Sequence, residues 1–134
     1  KNVTTPNSSA DYENYVVLRL AEMYLIRAEA NAHLGNSAAA ISDINKIRNR
    51  ARVADYKGGS SQSEVLMEIE SQRRKELFFE LGHRWMDLNR TGRAEAIYSA
   101  NSYKKVNWQS YRMLLPIPEQ QIGRNRNLVQ NPGY

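Results

Sequence analysis

AEMYLIRAEANAHLGNSAAAISDINKIRNRAR, residues 21–52, is the stretch that decides the fold. With Leu18 just before it, Ala21, Leu25, Ala28 and Ala32 recur at steps of three and four residues, which lines them along one helix face. Gly35-Asn36 ends that helix, because glycine takes the left-handed conformation of a helix C-terminus with no Cβ in the way. Ser37 is placed to cap a second helix. The apolar stripe of that helix is Ala40 or Ile41, then Ile44, Ile47 and Ala51. So short a connection makes the two helices antiparallel, an αα-hairpin.

Downstream, Asp55 to Ser63 holds Gly58, Gly59, Ser60 and Ser61 and reads as a loop. Ser61 or Ser63 can cap a third helix, whose apolar face is Val65, Leu66, Ile69, Leu77 and Leu81. Gly82 is where this helix must bend or stop, and Trp85, Met86 and Leu88 continue a helical pattern to Thr91-Gly92. A further short helix is expected over 94–101, and irregular structure over 102–114, where Tyr103, Val106, Trp108, Tyr111 and Leu114 alternate with polar residues. Pro116-Ile117-Pro118 is extended, since each proline disfavours helix at the residue before it. Pro118 suits the first position of a helical turn through Gln121. Leu114, Leu115 and Ile117 are expected to pack on the helices, and the sequence closes in turn chemistry at Asn131-Pro132-Gly133-Tyr134. Upstream, residues 1–14 are polar and read as a loop. No strand pair emerges. The predicted fold is all-α: a helical hairpin, a long kinked helix and an irregular C-terminal segment, in one domain over 1–134.

The whole has 134 residues and 15.4 kDa, which suits one compact domain and is small for two. Cysteine is absent, so a disulfide scaffold, a thiolate metal site and a cysteine nucleophile are excluded. The net charge of +5 is unevenly placed: residues 1–89 carry 12 basic and 12 acidic side chains, residues 90–134 carry 7 and 2. No clustered basic face with interleaved aromatics stands out, so nucleic acid is not an expected partner. No stretch approaches the ~20 apolar residues of a membrane span. The opening Lys1-Asn2-Val3-Thr4-Thr5-Pro6 has no apolar core of a signal peptide and reads as the middle of a longer chain. There is no P-loop, GxGxxG motif or nucleophile elbow.

Residues 21–52 resemble one tetratricopeptide-type unit, with small residues (Ala28, Ala32, Ala40) where the helices cross. One such unit cannot bury its own face, so either Leu77 to Trp85 or sequence outside this segment is expected to cover it. A wider resemblance rests on four segments in order. They are Arg19 to Ala30; Ile47-Arg48-Asn49-Arg50-Ala51; Arg73 to Leu88 with Arg90-Thr91-Gly92-Arg93; and Leu114-Leu115-Pro116-Ile117-Pro118 with Gln130-Asn131-Pro132-Gly133-Tyr134. Together they resemble the C-terminal part of the SusD/RagB family of nutrient-uptake lipoproteins. Two positions depart from the family pattern: Gln72, where Glu is usual, and Asn89, where a basic residue is frequent. The resemblance implies a non-catalytic component that binds a glycan or other nutrient at the outer-membrane surface and works with a SusC-like TonB-dependent channel. It implies no cofactor, a lipid anchor outside this segment, and a mainly scaffolding role for these residues. A stand-alone tetratricopeptide-like adaptor for a protein partner is the alternative.

Five charged residues invite a chemical reading. Arg73, Glu76, Glu80, Arg84 and Asp87 are spaced by three or four residues and share one helix side if Gly82 does not break it. As a carboxylate pair, Glu76 and Glu80 suggest glycoside hydrolysis, which needs one carboxyl protonated and the other ionised. Arg73, Arg74 and Arg84 alongside favour ionising both. A structural ion network is therefore expected, with Arg27, Glu29 and Arg48 as partners from the hairpin. His33 follows Glu29 by four residues and His83 precedes Asp87 by four, but neither pair has a third ligand nearby, so no metal site is expected. Sugars stack on aromatic faces, and Tyr103 and Trp108, in the irregular region, are the candidates this segment offers. Trp85, inside the helical motif, is read as core. No binding residue is carried over from the family, whose glycan-stacking aromatics lie mainly in parts of the chain absent here.

Overall fold

The structure is a computed structural model that describes residues 16–101, 103 and 107–134. Val106 lies outside the described residues, as do residues 1–14, read as a loop. The chain divides into two compact units, Lys1–Glu76 and Leu77–Tyr134. No strand occurs among the described residues.

Among its described residues the first unit holds three helices: α1 (Leu20–His33), α2 (Ser37–Arg50) and α3 (Gln62–Glu76). The alanine stripe explains how they pack. Ala28, Ala32 and Ala40 are fully buried, and their small side chains let α1 and α2 approach closely. Ile44 of α2 and Val65 and Ile69 of α3 complete this core, with Ile41, Tyr56 and Leu66 against its edge. A second cluster joins Ala21, Leu25 and Ile47, flanked by Tyr24. Within the first unit, α3 covers the hairpin. Leu18 is 72% exposed and precedes the helix, so the stripe begins at Ala21. Ala51 is likewise exposed, one residue past α2.

The helix ends follow local chemistry. Gly35 has φ +76°, as its place after α1 requires. The cap of α2 is Asn36, not Ser37: its Oδ1 accepts from Ala39 N at 3.4 Å. Ser61 and Glu64 form a capping box before α3, with the Ser61 hydroxyl and backbone N both donating to the Glu64 carboxylate and Glu64 N donating to Ser61 Oγ. Gln62 Nε2 donates to Ala32 O (2.9 Å) and His33 O (3.3 Å), satisfying carbonyls at the C-terminus of α1.

Of the two outcomes left open at Gly82, the helix stops. α3 ends at Glu76, and Phe79 (φ 61°), Leu81 (φ 45°) and Gly82 (φ 72°) turn the backbone before α4 (His83–Arg90) begins. Left-handed φ at Phe79 and Leu81 is incompatible with a continuing right-handed helix. Leu81 is accordingly 43% exposed, off the apolar face assigned to it. The second unit continues with α5 (Ala94–Ala100), a 3-10 turn over Ser110–Met113 inside the region expected to be irregular, and α6 (Glu119–Arg124). Pro118 is the residue before α6 rather than its first position.

The closing residues clasp the Leu114–Ile117 strip through side chains. Gln130 binds both backbone groups of Ile117, accepting from its N (2.8 Å) and donating to its O (2.9 Å). Asn131 Nδ2 donates to Leu115 O at 2.7 Å, and the Tyr134 hydroxyl donates to Leu114 O at 2.9 Å. Leu114 and Leu115 themselves are 56% and 71% exposed, so their side chains do not pack as expected; what is held is their backbone. Gly133 sits at φ +97°, and a Cβ there would strike the Tyr111 ring, which lies edge-on to Tyr134 with centroids 5.1 Å apart. Gly133→Ala is expected to cost about 1–3 kcal/mol through combined strain and clash. A chemical denaturation curve superimposable on the wild type would refute this role.

Candidate functional site

The five charged residues predicted to share a helix side are divided by the stop at Glu76. Arg73 and Glu76 lie on α3 in the first unit; Glu80, Arg84 and Asp87 belong to the second. Arg73 is 6% exposed and faces Glu22 of α1, itself 8% exposed, at 3.5 Å. Glu76 accepts from Arg19 at 2.8 Å and from Arg50, while Arg19 also donates to Glu76 O (2.6 Å) at the end of α3. Asp87 pairs with Arg90 at 3.0 Å. The hairpin arginines put forward as partners engage other acids. Arg48 binds Glu68 (2.7 Å), which also accepts from Gln72, and Arg48 Nε donates to Ala54 O. Arg27 binds Asp43 through two bonds of 2.7 Å. Reasoning from spacing missed Arg19, Glu22 and Arg50, because cross-helix partners leave no periodic mark in one helix.

Asp43 is the buried centre of a surface cluster. Arg27 beside it, by hydrogen bond, holds its carboxyl below the usual carboxylate range against the opposing effect of burial, and Lys46 at 3.2 Å adds to this. Lys46 and Arg27 also lie over the Tyr24 ring. A depressed native pKa contributes stability that is complete above the unfolded value of about 3.9 and is lost as pH falls through the native value. Asp43→Asn should therefore be less stable than wild type at pH 7, and the difference should vanish well below pH ~3.9. Denaturation curves at several pH values check this; an offset that does not change with pH would contradict it.

The second unit carries a concave site. An open cleft of about 500 Å³ is lined by Trp85 of α4, Tyr98 of α5, and Tyr103, Trp108 and Tyr134 from the irregular segments, with Arg112 and Asn107 at its wall. The two sequence candidates, Tyr103 and Trp108, thus border the same cleft. Tyr103 is 91% exposed, whereas Trp108 is half-buried and fixed from two sides. Its indole Nε1 donates to Glu95 at 2.8 Å, and its ring lies against Tyr98 with centroids 4.9 Å apart. Glu95 and Tyr98 are one turn apart on α5, so one short helix both bonds and stacks Trp108. Trp85 is half-buried, not core, and meets Tyr98 (5.7 Å) and Trp108 (6.4 Å, near-perpendicular). Arg112 donates to Asn107 O at 2.5 Å, bracing the segment around Trp108. The clasp on Leu114 O sets Tyr134 at the rim. Tyr98, Arg112 and Tyr134 went unrecognised in the sequence because residues 102–114 have no period that says where Trp108 returns.

Among the described residues no group of three or more His, Asp or Glu side chains is arranged to hold a metal ion. No helix among them is long and apolar enough to cross a membrane.

Comparison with known proteins gives a consistent result. The family model described as the SusD family matches residues 1–134. The chain is 34% identical over 139 residues to SusD-like protein P2 of Formosa agariphila, covering 96% of this chain and 27% of that protein. It is also 34% identical over 141 residues to the starch-binding protein SusD of Bacteroides thetaiotaomicron, covering 96% of this chain and 23% of that one. Among solved structures, it is similar to a SusD superfamily protein from Bacteroides vulgatus with a TM-score of 0.78 and 30% identity, over 87% of this chain and 27% of the other. The chain spans about a quarter of the length of the curated relatives it matches.

Proposed function

The chain belongs to the SusD family, and from that premise we propose that it is the C-terminal part of a non-catalytic nutrient-binding protein, with a glycan as the nutrient. The protein acts at the outer-membrane surface, held by a lipid anchor outside these residues, and delivers its ligand to a SusC-like TonB-dependent channel. The observation that carries this reading is the family match over the whole of residues 1–134, together with a starch-binding relative. The first unit serves as scaffold. Its core is complete between α1, α2 and α3, yet α1 leaves Leu20, Met23 and Ile26 exposed, an apolar face suited to a neighbouring helical repeat. Catalysis is not part of the proposal: Glu76 is occupied by Arg19 and Arg50, which suits a structural tie better than proton transfer. The test is made on the full-length protein. It should bind members of an oligosaccharide panel in calorimetry, release no reducing ends from them, and co-purify with an outer-membrane channel. Failure to bind any glycan would overturn the proposal.

A further inference from the structure

We infer that the cleft of the second unit is a saccharide subsite in its own right, shaped for a pyranose ring bearing a carboxylate or sulfate group. The inference rests on the glycan-binding reading and adds to it a place and a ligand chemistry.

Three observations lead there. First, Trp85, Tyr98 and Trp108 form a contiguous aromatic surface, with centroid separations of 4.9 to 6.4 Å, and all three rings remain half-buried beside an open concavity. The cluster leaves flat apolar surface in a cleft of about 500 Å³, within the range of small-ligand sites of about 300–1,000 Å³. The C–H groups of a sugar ring pack on such faces. Second, Trp108 is held before any ligand arrives. Glu95 accepts its indole N–H, and Arg112 secures the backbone at Asn107. A fixed platform spares the ordering cost of binding.

Third, the polar groups favour an anion. Arg112 is exposed at the cleft and uses one guanidinium N–H on Asn107 O, which leaves a planar donor set for a carboxylate or sulfate. Glu95 of α5 holds the Trp108 indole and does not itself line the cleft. Residues 90–134, which supply every lining residue named here except Trp85, carry 7 basic side chains against 2 acidic ones. A field of that sign attracts acidic saccharides and is indifferent to neutral ones.

The experiment is isothermal titration of the full-length protein with four probes: an oligogalacturonate, a sulfated galactan oligosaccharide, maltohexaose and xylohexaose. The wild type is expected to bind at least one of the two anionic probes more tightly than either neutral one, and the carboxylated and sulfated arms show which anion the site takes. Arg112→Gln should weaken the anionic probe at least tenfold and the neutral probes by much less, the smaller loss coming from the brace on Asn107 O. Arg112→Lys should fall between the two, keeping the charge without the planar fork. Trp108→Ala should weaken every probe that binds in the cleft. Wild-type affinity in both Arg112→Gln and Trp108→Ala would overturn the inference while leaving the protein a glycan binder. Binding of neutral probes alone would overturn the anionic assignment. Binding of none of the four would remove this inference, and failure across a broad neutral and acidic panel would remove the function proposed above with it.

Discussion

Leu25→Ala is expected to lower the free energy of unfolding by about 3–4 kcal/mol, within the range for truncating a fully buried leucine. Leu25 has no exposed surface and lies between Ala21 and Ile47, with Tyr24 at the edge. Part of the cost is lost transfer free energy, and the rest is the hole left behind. The hole cannot close easily, because Ala21 has nothing to extend into it and Ile47 is a stiff β-branched side chain on another helix. The C-cap of the same helix supplies the control: Leu34 is 83% exposed, and Leu34→Ala should change stability by no more than about 0.5 kcal/mol. Urea denaturation of the two variants beside the wild type decides it. Equal effects at positions 34 and 25 would mean that the buried face of the helix is wrongly assigned.

Arg73→Ala is expected to cost about 3–5 kcal/mol, because it removes one charge from a pair buried between α1 and α3. Arg73 and Glu22 are 6% and 8% exposed and stand 3.5 Å apart. The loss comes from taking a guanidinium away from a carboxylate that is held in the interior. The distinguishing variant is the double replacement Arg73→Met with Glu22→Leu. Removing both charges and filling the space should restore stability to within about 1 kcal/mol of wild type. If the double variant is as damaged as Arg73→Ala, packing and not charge is what Arg73 supplies.

The first unit was legible in the sequence because helices write their buried faces as a period. Ala21, Leu25, Ala28 and Ala32, then Ile44 and Ile47, then Val65 and Ile69, were placed correctly by spacing alone, and of the alternatives Ala40 and Ile41 it is Ala40 that is fully buried. Spacing said less at the ends: Leu18 and Ala51 fit the stripe but fall outside the helices, which begin at Leu20 and finish at Arg50 respectively. The stop after Glu76 was marked by Gly82, yet the residues that turn the chain include Phe79 and Leu81, which have no special liking for positive φ. The cleft was half legible. Trp108 and Tyr103 stood out as aromatics in a region without helical period, but their neighbours Tyr98, Arg112 and Tyr134 come from three different elements. Nothing local in a sequence announces that such residues converge. The ion pairs show the same limit: Glu76 was singled out, while Arg19 and Arg50, which hold it from α2 and the start of α1, were not.

The strip from Leu114 to Ile117 is gripped by Gln130, Asn131 and Tyr134 through their side chains. In a β-ladder the same carbonyls would be met by backbone amides, which every residue but proline provides, and the pairing would survive most substitutions. Here each bond depends on the identity of one residue. The arrangement trades mutational tolerance for placement: a change of one letter at 130, 131 or 134 releases its bond, and no neighbour along the chain can substitute. In return the chain turns sharply through Pro132-Gly133 and still delivers a tyrosine to the cleft, a path that a regular strand could not follow.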